Sequence, residues 1–174
     1  PYLSRALGDR GIITEVVDWD NASIDWARYS MAIVRSPWDY HRRYPEFLTW
    51  LDAVSAVTTL QNPADIIRWN TNKEYLDELV DAKIGIVPTT FVRSAEDLVS
   101  ITNDGVLERD IVVKPTISAG SNNTERHEES PVKAAAHMGF LLDGGFIAMV
   151  QPYQRFIDER GETGMVYFNG QLSH

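Results

Sequence analysis

Ile111-Val112-Val113-Lys114-Pro115-Thr116-Ile117-Ser118-Ala119-Gly120-Ser121-Asn122-Asn123 reads as a short apolar strand that ends in a lysine, is closed by a proline, and opens onto a loop of small residues. Side chains alternate across a strand, so Lys114 shares a face with Val112 while Ile111 and Val113 anchor the other face. The sheet thereby holds the ammonium in place. Ser, Ala and Gly downstream let main-chain N–H groups approach an anion closely and let the loop close as a lid. A fixed cation beside accessible amides suits a polyphosphate, although a strand-end lysine before a Ser/Gly loop is also an ordinary surface turn.

Composition narrows the setting. The chain has 174 residues, 44% apolar and 10% aromatic, with no cysteine and a formal net charge of −9. That length can bury a sizeable core in one domain or two small ones. No stretch approaches the ~20 apolar residues needed to cross a bilayer, and no signal-peptide pattern opens the sequence, so a cytoplasmic protein without membrane partners is expected. The absence of cysteine excludes disulfides and thiolate chemistry. Net negative charge disfavours a nucleic-acid partner, so any anion site must be local.

Along the chain, patterning predicts a helix over 2–7, a strand over 12–17, a strand over 31–34, a helix from Pro45 with Phe47, Leu48, Leu51 and Val54 on one face, and a strand over 58–61. Thr71 and Glu74 fit a capping box that starts a helix with Tyr75, Leu76, Leu79 and Val80 as its apolar stripe. A strand over 90–92, a helix over 95–101 capped by Ser94, and the Lys114 strand follow. A helix begins with Ser130 as cap and Pro131 at its first position and stops at Gly144-Gly145. Extended segments over 146–151 and 165–168 and a turn at Asn169-Gly170 complete the pattern. The fold class expected is α/β.

Neither G-x-x-x-x-G-K-[ST] nor G-x-G-x-x-G occurs, which removes the P-loop and the dinucleotide fingerprint. His41, His127, His137 and His174 show no metal-ligand spacing. Ser130 and Lys133 match S-x-x-K, but helix capping accounts for Ser130 better. With Thr71 as cap, Lys73 falls in a first helical turn, where a cation is disfavoured unless an anion is also present. Val150-Gln151-Pro152-Tyr153-Gln154 is a strand that leaves its sheet at a proline. The Pro152 carbonyl could accept from an adenine amino group and the Gln154 amide donate to a ring nitrogen, with Tyr153 or Met149 covering a face. Glu162 could accept from ribose hydroxyls.

As an ordered set, these pieces resemble the ATP-grasp superfamily, which includes glutathione synthetase, D-alanine:D-alanine ligase and biotin carboxylase. Lys73 resembles the first phosphate lysine of that family and Lys114 the second. Ser118-Ala119-Gly120-Ser121 resembles its flexible phosphate loop, Gln151-Pro152-Tyr153-Gln154 its adenine-reading hinge, and Gly161-Glu162 its ribose-contacting acid. Arg35-Ser36-Pro37-Trp38-Asp39-Tyr40, Asn70 with Lys73, and Phe168-Asn169-Gly170 through Ser173-His174 resemble the D-cycloserine ligase group within the glutathione synthetase-like enzymes. The resemblance implies a truncated, Rossmann-like pre-ATP-grasp α/β domain over 1–68, a small nucleotide-binding α+β subdomain over 69–150, and the start of a larger subdomain over 151–174, with the C-terminal part and an opening strand missing. ATP would lie between the subdomains.

By the same resemblance, the activity is an ADP-forming carboxylate–amine ligation through an acyl phosphate, on small-molecule carboxylate and amine substrates. Arg35, Asp39 and Tyr40 are candidates to contact substrate; an Arg–Asp pair bracing the loop is the other reading. The family holds Mg²⁺ on an acidic residue and a Glu-x-Asn pair that do not occur up to His174, so no metal ligand is assigned and those ligands are expected beyond residue 174. A non-catalytic nucleotide-binding module and a carboxylase-like ATP-grasp enzyme are the alternatives. Self-association into a homo-oligomer is left open.

Overall fold

The computed structural model describes residues 2–173, so His174 lies outside the described residues. The chain divides into two compact units, one formed by residues 1–82 and 116–122 and the other by 83–115 and 123–174.

The first unit contains α1 (Tyr2–Gly8), β1 (Met31–Ile33), α2 (Tyr44–Ser55), β2 (Thr59–Gln61), α3 (Ala64–Thr71) and α4 (Tyr75–Asp81). β1 and β2 pair in parallel, Ala32 opposite Leu60, with α2 as the crossover. Pro45 sits in the first turn of α2, where its missing N–H costs nothing. The expected apolar stripe is the core: Phe47, Leu51 and Val54 are fully buried, with Leu60 and Ile67 beside them. Around Phe47 the rings of Trp19 and Trp50 lie at 5.4 Å each, and Trp26 packs on Trp50 at 5.5 Å, an aromatic layer that patterning did not reveal.

Three expectations fail in this unit. Residues 12–17 are irregular, with Ile13 wholly exposed, because β-branched composition supplies propensity but not a pairing strand. Thr71 is the last residue of α3, not a cap; its hydroxyl donates back to the Arg68 carbonyl at 2.9 Å. Lys73 therefore lies in the break between α3 and α4. Helix α4 starts at Tyr75 without a side-chain cap and contains no buried residue, so the stripe expected there does not form a core.

The second unit is a four-stranded antiparallel sheet of order β3-β6-β4-β5, built from β3 (Thr90–Val92), β4 (Ile111–Pro115), β5 (Glu125–His127) and β6 (Ala148–Pro152), with α5 (Ala95–Asn103) and α6 (Pro131–Asp143). The helices cover one face: Val92, Ile111, Val113, Ala148 and Val150 pack with Ile101, Ala134, Met138 and Leu141. β4 alternates as expected, with Ile111, Val113 and Pro115 buried and Val112 and Lys114 half-buried on the opposite face. Ser94 caps α5 in a reciprocal box: its hydroxyl accepts from the Asp97 N–H at 3.2 Å, and the Asp97 carboxylate accepts from the Ser94 N–H at 3.1 Å. Ser130 does not cap α6; its hydroxyl donates to the Glu128 carbonyl at 3.0 Å. A short helix α7 (Phe156–Arg160) follows β6, and a hairpin of β7 (Tyr167–Phe168) and β8 (Gln171–Leu172) turns at Asn169 and Gly170, both at positive φ. Among the described residues no helix is long and apolar enough to cross a membrane.

Candidate nucleotide site

In the second unit, register decides which side chains share the face opposite the helices. Lys114 lies opposite Met149 and Val112 lies opposite both Gln151 and Arg126, so all five belong to that face. Met149, the cross-strand neighbour of Lys114, is fully buried. Burial pushes the Lys114 ammonium below the ordinary lysine range, and the Glu162 carboxylate acts in the opposite sense. The cation is thus short of solvation and gains most from an anionic ligand.

The hinge strand has a definite polarity. The Tyr153 N–H donates to the Asp110 carbonyl at 2.9 Å, so the odd residues at this end of β6 direct their backbone toward β4. The Pro152 carbonyl consequently faces the β3 edge. β3 begins at Thr90, opposite Val150, so strand pairing on that edge stops short of Pro152. In this state the Gln154 side chain donates its amide to the Pro152 carbonyl at 3.2 Å. Gln151, on the Lys114 face, is fixed by donating to the Thr89 hydroxyl at 2.8 Å.

Arg126 organises the far side of the hinge. It forms a two-pronged bond to Asp110 (Nε–Oδ1 2.9 Å, Nη2–Oδ2 2.7 Å), reaches Glu128 at 2.8 Å, and stacks 3.7 Å from the centre of the Tyr153 ring. The Tyr153 hydroxyl donates to Asp158, and that bond is the main cause raising its pKa. Tyr153 is therefore already stacked on one side by a guanidinium. Neither Arg126 nor Asp110 stood out in the sequence, since β5 follows a polar loop and carries only three residues.

In the first unit, the Lys73 ammonium donates to the carbonyls of Ser118 at 3.0 Å and Thr116 at 3.3 Å, and its backbone N–H donates to Thr116 at 3.0 Å. Sequence distance hid this contact between Lys73 and the loop. The loop is tightly turned, with the Ser118 hydroxyl donating to the Asn122 carbonyl at 2.7 Å and with Gly120 and Ser121 at φ +60° and +58°. Tyr40 donates weakly to the Ser118 carbonyl at 3.4 Å, and burial raises its pKa. Asp39 accepts from the Trp19 indole at 3.0 Å and from Arg43 at 2.9 Å; these bonds, Trp19 first, hold its carboxyl below the usual range. An Arg–Asp brace is present, but its cation is Arg43, while Arg35 is exposed.

Comparison with known proteins gives this arrangement a context. Residues 1–62 match the family described as the N-terminal domain of D-cycloserine synthetase DcsG. The chain is 35% identical over 179 residues to the cycloserine biosynthesis protein DcsG of Streptomyces lavendulae, across 100% of its own length and 60% of the relative. The crystal structure of D-cycloserine synthetase DcsG superposes with a TM-score of 0.88 at 35% identity, covering 99% of this chain and 60% of that one. The fold is shared more distantly with the RimK domain protein of Sphaerobacter thermophilus (TM-score 0.62, 16% identity, covering 87% of this chain and 58% of that one). D-alanyl-alanine synthetase A of Vibrio cholerae shares it too (0.54, 12%, covering 83% and 43%). The chain spans about 60% of the curated relative it matches. By sequence it is a homologue of D-cycloserine synthetase, and by fold its neighbours are the ATP-grasp ligases.

Proposed function

We propose that this chain is the nucleotide-handling part of an ATP-dependent, ADP-forming carboxylate–amine ligase acting through an acyl phosphate. The observation that carries the reading is Lys114, a half-buried ammonium on the sheet face opposite the helices, beside a strand that turns its Pro152 carbonyl away from β4. In the second unit, the Pro152 carbonyl and Gln154 amide receive the adenine edge, Gln151 and Tyr153 frame it, Lys114 takes the α-phosphate side and Glu162 the ribose. In the first unit, Lys73 with Ser118, Gly120 and Ser121 serves the outer phosphates, and Arg35, Asp39 and Tyr40 belong to the substrate side. Residues 1–68 constitute the preceding domain, 69–150 the small subdomain and 151–174 the start of the larger one.

The chemistry assigned to these residues is electrostatic. ATP supplies the phosphoryl group: a carboxylate oxygen bonds to the γ-phosphorus as the bond to ADP breaks, and amine attack on the acyl carbon then expels phosphate while the nitrogen gives up a proton. The lysines steady charge on the phosphate oxygens and form no covalent bond. Mg²⁺ would neutralise phosphate charge from ligands beyond residue 174.

The test is ADP release by the full-length gene product with ATP, Mg²⁺ and a panel of amino-acid-like carboxylates, with hydroxylamine added as trapping amine. Carboxylate-dependent hydroxamate together with ADP supports the acyl phosphate. Release of AMP and pyrophosphate, or ADP without hydroxamate, refutes it.

A further inference from the structure

β5 resumes the sheet immediately after the loop, with Glu125 opposite Val113 and His127 opposite Ile111. Residues two apart on a strand share a face, so Glu125 and His127 point to the side covered by α6. Helix α6 presents His137 to the same place, next to Met138 in the core. The His127 Nε2 and His137 Nδ1 lie 3.2 Å apart, and a Glu125 carboxylate oxygen lies 3.9 Å from each. Both imidazoles are buried, whereas Glu125 is exposed, so the cluster opens to solvent only on its carboxylate side.

We propose that Glu125, His127 and His137 form a binding site for one transition-metal ion of the zinc class. A tetrahedral ion with nitrogen ligands at about 2.0–2.1 Å separates two of them by about 3.3 Å, close to the spacing of the His127–His137 hydrogen bond, which the ion would replace with loss of the shared proton. The exposed Glu125 side chain closes the remaining gap of about half an ångström by a rotamer adjustment. Two neutral imidazoles and one carboxylate leave a fourth position for water. The Lys133 ammonium lies near enough to act on the same place and carries the ion's own sign of charge, so it works against a cation there. Hard cations such as Mg²⁺ prefer oxygen ligands and are poorly served by two nitrogens. The site ties the edge strand β5 to α6, so its ion would clip the exit of the loop to the core.

The probe is Co²⁺ alone, titrated into the chain in excess Mg²⁺, followed by Zn²⁺. The expected result is one equivalent bound with the intense visible bands of four-coordinate cobalt, lost on adding one equivalent of Zn²⁺, and a raised melting temperature with either ion. E125Q alters an exposed side chain and leaves the core intact; it should weaken binding by more than the ~10–100-fold that loss of an outer-shell partner costs. H137Q should abolish the bands, and NMR of the native chain should show the His127 and His137 ring signals shifting on Zn²⁺ addition while those of His41 do not. Absence of a saturable equivalent, six-coordinate cobalt spectra, or affinity unchanged in E125Q overturns the proposal, whatever the folding of H137Q.

Discussion

Replacing Lys114 by methionine separates a phosphate-binding lysine from a structural one, because the two roles give effects of opposite sign. Methionine keeps the length of the stem beside Met149 and removes the charge, a nearly volume-conserving change. In the free protein, burial opposes the ammonium, and the compensating charge among the described residues is Glu162, which is exposed. An exposed ion pair contributes about 0–1 kcal/mol, so losing it is offset by the removed desolvation cost, and the denaturation midpoint should hold or rise. With nucleotide bound, the same ammonium would face phosphate oxygens. Truncating one partner of a buried charge pair costs about 2–5 kcal/mol, and half-burial argues for the lower end, so ATP should bind about 30-fold more weakly. Calorimetric ATP titration and urea denaturation of both proteins supply the two numbers. Unchanged ATP affinity in a protein of equal or greater stability would remove Lys114 from the phosphate site, and joint loss of affinity and stability would make it structural.

Gln154→Ala frees the Pro152 carbonyl from the Gln154 side chain; if adenine uses that carbonyl, ATP affinity should be unchanged or rise by a few-fold, since an exposed bond of this kind contributes about 0.5–1.5 kcal/mol, and a large loss would contradict the hinge assignment. Ser94→Ala opens the capping box of α5 and should cost about 1 kcal/mol in urea denaturation, with Ser94→Gly costing less. Acid should weaken the fold in two windows. His127 has a folded pKa below 6.5, so the unfolded chain takes up its proton first; stability is complete above that value and falls as pH drops toward the lowered folded value. Asp39, held down chiefly by Trp19, and Asp110, held down chiefly by Arg126, contribute stability above 3.8 that is lost as pH falls through their lowered folded values. Denaturation midpoints across pH should lose the upper window, and only that one, in H127Q.

What was legible in the sequence is what local patterning determines. The alternation of Ile111 to Pro115, the stripe of α2, the Ser94 cap and the Asn169-Gly170 turn each follow from a few neighbouring residues, and each appears in the fold. The failures share one cause. Residues 12–17 have strand propensity without strand pairing, Thr71 and Glu74 imitate a capping box while Thr71 completes a helix begun at Ala64, and β5 is too short to announce itself. The candidate site divides the same way: the strand position of Lys114 and the end of pairing at Pro152 follow from neighbouring residues, but the carbonyl partners of Lys73 lie more than 40 positions away in sequence, and the pairing of His127 with His137 depends on how α6 lies against β5. Spacing between histidines therefore concealed a cluster that register exposes.

Arg126 makes the orientation of Tyr153 depend on a side chain two strands distant. A one-residue slip of β5 would turn that guanidinium to the helix face, uncover the ring and leave the Asp110 carboxylate without its fork-shaped counterpart. If 152–154 reads a base as proposed, attempts to re-engineer that preference by editing these residues alone would be working on a surface whose tilt is set elsewhere, and a selection for altered base preference should recover second-site changes in the edge strand.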